Sequence, residues 1–301
     1  MPPTTTQQCG TQHFQYSMCT GRKKALCIGI NYRGTPNVLK GCVNDAKNVR
    51  SFLIRYYEYR SEDIVLLTDD GKTPRERPTR QNMIDAMKWL VRDARPHDSL
   101  VFHYSGHGAQ IRDRNGDEVD GYDELVFPLD HKKNGHILDD EMHEIMVKPL
   151  PSGCRLTAIF DSCHSGSALG KTISSLITYS SNGSLKEVHA INESGRPVAL
   201  SGGGGDVNRI LRKARLIRQS PADVISWSGC KDSQTSADTT TEAGNATGAM
   251  SYAFTSCLKA NQNQSYQELL VNIREILRRR YKQKPQLSSS HPIDTNLLFI
   301  A

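Results

Sequence analysis

The chain has 301 residues, a formal net charge of +6 and 37% hydrophobic residues. This composition is typical of a globular protein, and no apolar run is long enough to span a bilayer. The polar first 21 residues lack the apolar core of a signal peptide, so we expect a cytoplasmic protein, with the nucleus as a further location. The mild charge predicts no nucleic-acid partner, and without a Cys-x-x-Cys pair the eight cysteines do not indicate a zinc ribbon.

Short apolar runs alternate with amphipathic stretches along most of the chain. The apolar runs predict strands at 24–30, 63–67, 99–104, 124–127, 155–160, 223–228 and 296–300. Helical spacing predicts helices at 42–57, from 79 onward, and at 140–147, 249–258 and 266–279. Alternation of this kind is typical of a mostly parallel sheet covered by helices.

Two segments differ in composition from this pattern. Residues 1–21 are rich in Thr and Gln and are predicted to be a disordered N-terminal remnant. Residues 171–220 are Ser-, Gly- and basic-rich with few apolar anchors, which predicts a linker or surface insertion.

Two predicted strands end in residues suited to cysteine chemistry. One is followed by Asp161, Cys163 and small residues, and another is followed by His107. Parallel strands present their carboxyl ends at one edge of a sheet, so we expect Cys163 and His107 to meet there. A neighbouring imidazolium lowers the pKa of a cysteine thiol and so supplies the nucleophilic thiolate. The backbone N–H groups of Cys163 and Gly108 are the candidate oxyanion donors.

Two further histidines are rival bases. His103 lies within its predicted strand and is interpreted as structural. His164 is adjacent to the proposed nucleophile, and neighbours on an extended chain point to opposite faces. A lone buried Cys or His is more often structural than catalytic, but the small residues around Cys163 and His107 favour catalysis.

Asp161 precedes Cys163 by two residues, so on an extended strand both side chains share one face. A carboxylate beside a thiolate raises the pKa of the thiol, which makes a receptor for a cationic substrate group the better explanation. Asp45, in the first turns of a predicted helix, is a candidate partner, and two carboxylates in one pocket would select Arg or Lys. The alternative is that Asp45 stabilises its own helix N-terminus, and the sequence favours neither interpretation.

These motifs together resemble the type I metacaspases, especially the fungal ones. The resemblance rests mainly on Tyr104–Gly108 and Asp161–Gly166 and covers roughly residues 16 to 301. Further agreement lies in Gly29–Tyr32, Gly41–Ala46, Asp139–Met142, Gln234–Asp238 and Ser288–Pro292.

The resemblance implies a caspase-like three-layer α/β/α sandwich with a mostly parallel central sheet. It implies a large catalytic subdomain at 22–170, a small subdomain at 221–301, and a monomer without a membrane partner. The implied activity is a calcium-stimulated cysteine endopeptidase that cleaves protein or peptide substrates after Arg or Lys, with His107 and Cys163 as its dyad. The implied specificity pocket consists of Cys42, Asp45, Ser105 and Asp161.

Calcium is the implied cofactor, and the matching acids are Asp123, Asp139 and Asp140. Carboxylates are the hard oxygen ligands that calcium prefers. The family's fourth calcium-binding Asp falls at position 170, which is Gly170 in this chain. We therefore expect a weakened site and weaker calcium stimulation than in related proteins.

The segment 171–220 is also where we expect the chain to cut itself. The candidate cut sites are Lys186, Arg196, Arg209, Arg212, Lys213 and Arg215. The altered loop after Cys163 leaves an alternative open: a weakly active or non-proteolytic scaffold or protein-quality-control factor of the same fold.

Restoring an acid at position 170 tests the calcium interpretation. Gly170→Asp is expected to lower the calcium concentration for half-maximal peptide hydrolysis, because it returns a carboxylate ligand. Calcium titrations of the wild type and of Gly170→Asn, which has similar size without the charge, are the comparison. An unchanged midpoint in Gly170→Asp would contradict the interpretation.

Overall fold

A computed structural model describes residues 2–9, 12–112, 122–162, 175–179, 185–188, 220–230, 239–240, 246–281 and 283–301. The strands are Gln7–Cys9 (β1), Gln12–Phe14 (β2), Lys23–Gly29 (β3), Ile64–Thr68 (β4), Ser99–Ser105 (β5), Gly108–Arg112 (β6), Tyr122–Val126 (β7), Ile137–Leu138 (β8), Arg155–Asp161 (β9), Ser175–Tyr179 (β10), Leu185–Val188 (β11), Asp223–Cys230 (β12), Thr239–Thr240 (β13), Ala246–Thr247 (β14) and Lys284–Ser289 (β15). The helices are Cys42–Tyr57 (α1), Arg80–Val91 (α2), His131–Asn134 (α3), Asp139–Met146 (α4), Ala249–Ala260 (α5) and Tyr266–Arg280 (α6).

The central sheet has eight strands in the order β11-β10-β15-β12-β9-β5-β3-β4. The strands from β12 to β4 are parallel to one another, and β15, β10 and β11 add antiparallel strands at one edge. Parallel strands that are buried on both faces have near-continuous apolar runs, and for this reason β3, β5 and β9 were predicted from the sequence.

Helices cover both faces of this sheet, so the predicted three-layer α/β/α class is confirmed. Alternate strand residues point to opposite faces, as Phe102 and Val101 of β5 do. Phe102 packs in a core with the apolar faces of α2 and α4. Val101 packs in a second core with α1, α5 and α6. Among the described helices, none is both long and apolar enough to cross a bilayer.

The register of the parallel strands aligns their carboxyl ends, where the candidate site lies. Gly29 pairs with Ser105, and Ser105 pairs with Asp161, so the carboxyl ends of β3, β5 and β9 stop at the same level. The Gly106 N–H then donates to the Asp161 carbonyl oxygen at 3.4 Å. Residues that immediately follow β5 and β9 therefore emerge side by side at one edge of the sheet.

The prediction of disorder for residues 1–21 is wrong for the end of that segment. β1 and β2 pair as a hairpin, and the Phe14 ring stacks on His291 with centroids 3.9 Å apart. The Ser17 N–H donates to Asp223 Oδ2 at 2.9 Å, inside the protein. The partners Asp223 and His291 lie more than 200 positions away in the sequence, so no local pattern could predict these contacts.

The predicted closing strand at 296–300 is also wrong. That stretch is irregular, and the Phe299 N–H donates to the Gln264 carbonyl oxygen at 2.9 Å. The closing strand is instead β15, whose Pro285 and serines give a weak strand signal. It pairs with β12 and with β10, so part of the predicted linker extends the sheet.

A buried ion pair joins the amino ends of β9 and β12. Arg155 Nη2 lies 2.6 Å from Asp223 Oδ2, and the two side chains are 1% and 0% exposed. Arg155 Nη1 also donates to the Tyr266 hydroxyl at 2.6 Å and to the Ile300 carbonyl at 3.1 Å. Burial raises the pKa of Asp223, but Arg155 and His291 outweigh burial and hold it at about 2.

Removing the charge of Asp223 is expected to destabilise the fold strongly. Asp223→Asn leaves Arg155 buried without a counter-charge, which costs about 3–5 kcal/mol of the free energy of unfolding. Equilibrium urea unfolding measures the loss. In the control, Glu144→Gln breaks the exposed pair with Lys148 and should cost under about 1 kcal/mol. Losses of equal size in the two variants would contradict this account.

Candidate active site

His107 follows β5 at the edge where the parallel strands end, and its backbone is held on both sides. Its N–H donates to the Tyr32 hydroxyl at 3.1 Å. Its carbonyl accepts from the Tyr104 hydroxyl at 2.7 Å and from the Phe127 N–H at 3.3 Å. These bonds fix the backbone of His107, which lies beyond the end of β5.

The imidazole of His107 is half-buried and contacts a loop after β3. Its Nε2 lies 2.7 Å from the Asn37 carbonyl oxygen. A carbonyl can only accept, so this contact requires the proton on Nε2 and leaves the lone pair on Nδ1. A neutral imidazole in this tautomer is a base at Nδ1.

The predicted nucleophile Cys163 lies outside the described residues, as does His164. The strand that leads to Cys163 is described through Ser162. Because Ser105 and Asp161 are paired in register, His107 and Cys163 each follow a paired position by two residues. By its position in the sequence, Cys163 is therefore the cysteine that corresponds to His107 on the neighbouring strand.

His103, the other rival base, is fully buried within β5. Its Nε2 lies 2.9 Å from the Ser251 hydroxyl, and burial lowers the pKa of the imidazole to about 3. Such a histidine stays neutral and holds β5 against α5. This placement agrees with its interpretation as a structural residue.

Asp45 of α1 is fully buried against the start of α5. Its Oδ2 accepts from the Ser105 hydroxyl at 2.7 Å, and both its oxygens lie 2.8 Å from the Gly248 nitrogen. The Thr247 hydroxyl is bonded to its Oδ1. Asp45 thus stabilises the start of α5, a helix about 200 residues away in the sequence.

Asp161 reaches the same helix start from the end of β9. Its Oδ2 accepts from the Ser251 N–H at 2.7 Å. A Cβ on Gly248 would lie 2.3 Å from Asp161 Oδ2 and 2.8 Å from Asp45 Oδ2. The two carboxylates therefore converge on the Cα of Gly248, and only glycine fits between them.

The predicted residues Cys42, Asp45, Ser105 and Asp161 are thus brought to one end of the sheet. Cys42 is buried at the first position of α1, one helical turn before Asp45. Burial and the charge of Asp161 raise the pKa of Asp45 to about 7, against the opposing effect of its hydrogen bonds from Thr247, Ser105 and Gly248.

The site residues around the start of α5 were not identified from the sequence. Thr247 and Gly248 directly precede α5, and Ser251 lies in its first turn; this helix was predicted without a role. One signal was available: the residue before α5 is a glycine, which provides no side-chain cap, so the first N–H groups of the helix need acceptors from elsewhere.

The predicted calcium acids lie on β7 and at the start of α4. Asp123 and Asp139 are buried, and the Asp140 N–H donates to Asp139 Oδ1 at 2.9 Å. Pairing of Leu125 with Leu138 brings these two elements together. Their carboxylates have suitable chemistry for calcium. Among the residues that the structure describes, no group of three His, Cys, Asp or Glu side chains is placed to hold a metal ion.

Comparison with known proteins shows the family to which the chain belongs. Residues 23–172 match the family profile described as metacaspase, peptidase C14 domain. The chain is 55% identical over 331 aligned positions to Metacaspase-1 of Cryptococcus neoformans var. neoformans, which covers 99% of this chain and 71% of that protein. It is 52% identical over 327 positions to Metacaspase-1 of Schizosaccharomyces pombe, covering 100% of this chain and 76% of that protein.

A solved structure supports the fold independently. A protein from Geobacter sulfurreducens superposes with a TM-score of 0.58 over 92% of this chain and 97% of its own. The two sequences are 23% identical, so this likeness bears on the fold alone.

The raised pKa of Asp45 predicts a dependence of stability on pH. An aspartate of an unfolded chain titrates near pH 4, so folding takes up a proton between about pH 4 and about pH 7. The contribution of Asp45 to the free energy of unfolding is therefore full at low pH and is lost as the pH rises through about 7.

Asp45→Asn should remove this dependence, because the amide does not titrate. Urea unfolding of both proteins across the neutral range measures the difference, and the exposed substitution Asp85→Asn is the control. A difference between wild type and Asp45→Asn that does not change with pH would contradict the raised pKa.

Proposed function

Because the chain belongs to the metacaspase family of caspase-like cysteine peptidases, we propose that it is an endopeptidase that cleaves after Arg or Lys. The observation that carries this proposal is the convergence of Asp45 and Asp161 on Gly248, beside the strand ends that lead to His107 and Cys163.

The dyad performs the cleavage in two stages. Nδ1 of His107 takes the proton of the Cys163 thiol, and the thiolate attacks the substrate carbonyl carbon. The backbone N–H groups of Cys163 and Gly108 stabilise the oxyanion that forms. The C–N bond then breaks, and the imidazolium returns its proton to the leaving amine. Water, deprotonated by His107, hydrolyses the thioester and releases Cys163 as the thiol.

The acid pair supplies the preference for basic side chains. A cation bound beside the two carboxylates neutralises their negative charge. Without the cation, only a proton relieves the repulsion between them. An uncharged or acidic side chain would leave this repulsion in place. Cys42 and Ser105 line the same end of the sheet, where Ser105 orients Asp45.

Three further properties belong to the proposal. Calcium bound through Asp123, Asp139 and Asp140 would stimulate the enzyme weakly, since position 170 lacks an acid. Basic residues at 171–220 would be the sites of self-cleavage. The enzyme would act on protein substrates as a cytoplasmic or nuclear monomer.

Substitution of the nucleophile tests the proposed activity. Cys163→Ala should abolish self-cleavage and lower kcat/KM for an Arg-terminated fluorogenic peptide at least about a thousand-fold, because the variant lacks the thiol that attacks the substrate in the proposed mechanism. Cys257→Ala, which removes a buried thiol of α5, is the matched control. Each protein is assayed on Arg and Asp peptides with and without calcium.

Two results would refute the proposal. One is unchanged self-cleavage or hydrolysis in Cys163→Ala. The other is faster turnover of the Asp peptide than of the Arg peptide by the wild type. Absence of any turnover by a folded wild type would favour the scaffold alternative.

A further inference from the structure

Tyr32 contacts both the backbone and the imidazole ring of His107. It follows Gly29–Asn31 at the end of β3 and is only 2% exposed. Its hydroxyl accepts from the His107 N–H at 3.1 Å and donates to the Phe127 carbonyl at 2.6 Å. Its ring lies 4.6 Å from the imidazole, centroid to centroid, at a tilt of 34°.

The backbone of Tyr32 is in an unusual conformation. Its φ of 51° lies in the left-handed region, which is uncommon for a bulky side chain. Strained residues of this kind persist where surrounding contacts hold them, and they occur often at functional sites. The turn that follows is tied back to Tyr32, because the Thr35 hydroxyl donates to the Tyr32 carbonyl at 2.8 Å.

A second tyrosine, Tyr104, also holds the backbone of His107. The Tyr104 hydroxyl lies 3.1 Å from that of Tyr32 and donates to the His107 carbonyl. A Cβ on Gly106 would lie 2.6 Å from the Tyr104 hydroxyl oxygen, so glycine at 106 leaves room for this arrangement. The loop that contains Tyr32 also brings the Asn37 carbonyl to Nε2 of His107.

We propose that Tyr32 is a positioning residue of the catalytic imidazole. This inference rests on the proposed function, in which His107 exchanges protons with Cys163. The hydroxyl fixes the His107 backbone, and the ring face restricts the imidazole plane. The same face attracts a cation within about 6 Å, so it stabilises the imidazolium that forms beside the thiolate.

Two substitutions separate the roles of the hydroxyl and the ring. Tyr32→Phe keeps the ring, and we expect it to lower kcat about ten-fold through misplacement of the imidazole, with KM for an Arg peptide unchanged. Tyr32→Leu also removes the ring. It is expected to shift the acid limb of Cys163 alkylation by iodoacetamide to higher pH, because less imidazolium–thiolate pair forms.

Tyr59→Phe is the matched control. Tyr59 is also 2% exposed, and its hydroxyl lies 3.0 Å from the hydroxyl of Ser99, at the amino end of β5 and so at the other end of that strand from His107. This variant should lose stability without a change in the alkylation profile. A kcat and an alkylation profile of the Tyr32 variants that match those of Tyr59→Phe would overturn the proposal.

One measurement needs no Tyr32 variant. In the unaltered chain, hydrogen exchange at the His107 amide should be slowed by its bond to Tyr32, and exchange at the rate of an unstructured peptide would overturn the proposal.

The alkylation experiment also distinguishes failure of this inference from failure of the proposed function. A wild type that hydrolyses no peptide refutes the proposed function. The effect of Tyr32 substitutions on the pH profile of Cys163 alkylation can still be measured in that case, because alkylation needs no peptide substrate.

Discussion

The start of helix α5 is held against two carboxylates, and the arrangement of the site depends on this contact. Asp45 comes from α1 and Asp161 from the end of β9, and both accept N–H groups from the first turn of α5. Ser105 at the end of β5 bonds Asp45 from the other side. The contact therefore connects α1 and the carboxyl ends of β5 and β9 with a helix from the C-terminal part of the chain.

Stability alone does not account for two acids at this place. A buried carboxylate loses its hydration, and a second one nearby adds repulsion, as the raised pKa of Asp45 indicates. The helix dipole and the hydrogen bonds offset part of this cost. A serine or an asparagine before α5 would cap the helix without any buried charge. A carboxylate whose pKa is raised by burial and a neighbouring charge is instead a candidate functional residue, and the proposed function assigns this pair to a substrate cation.

The sequence predicted the parts of the protein whose signals are local. β3, β5 and β9 were visible as apolar runs, and α1 as an apolar stripe, so the edge that bears His107 followed from the alternation of these elements. The role of Thr247 and Gly248 was not predicted, because it arises from contacts with Asp45 about 200 residues away. The order of Phe14 and Ser17 and the strand β15 were missed for a similar reason, since distant partners rather than local patterns stabilise them.

The most direct test of the account compares an Arg peptide with its citrulline analogue, which has the same shape without the charge. The ratio of their kcat/KM values isolates the charge preference, because a change in the protonation of His107 affects both substrates alike. The account predicts that this ratio falls as the pH is lowered from about 8 to about 6, since Asp45 gains a proton in that range. A ratio near one at every pH, or one that rises as the pH falls, would contradict the role of the two carboxylates.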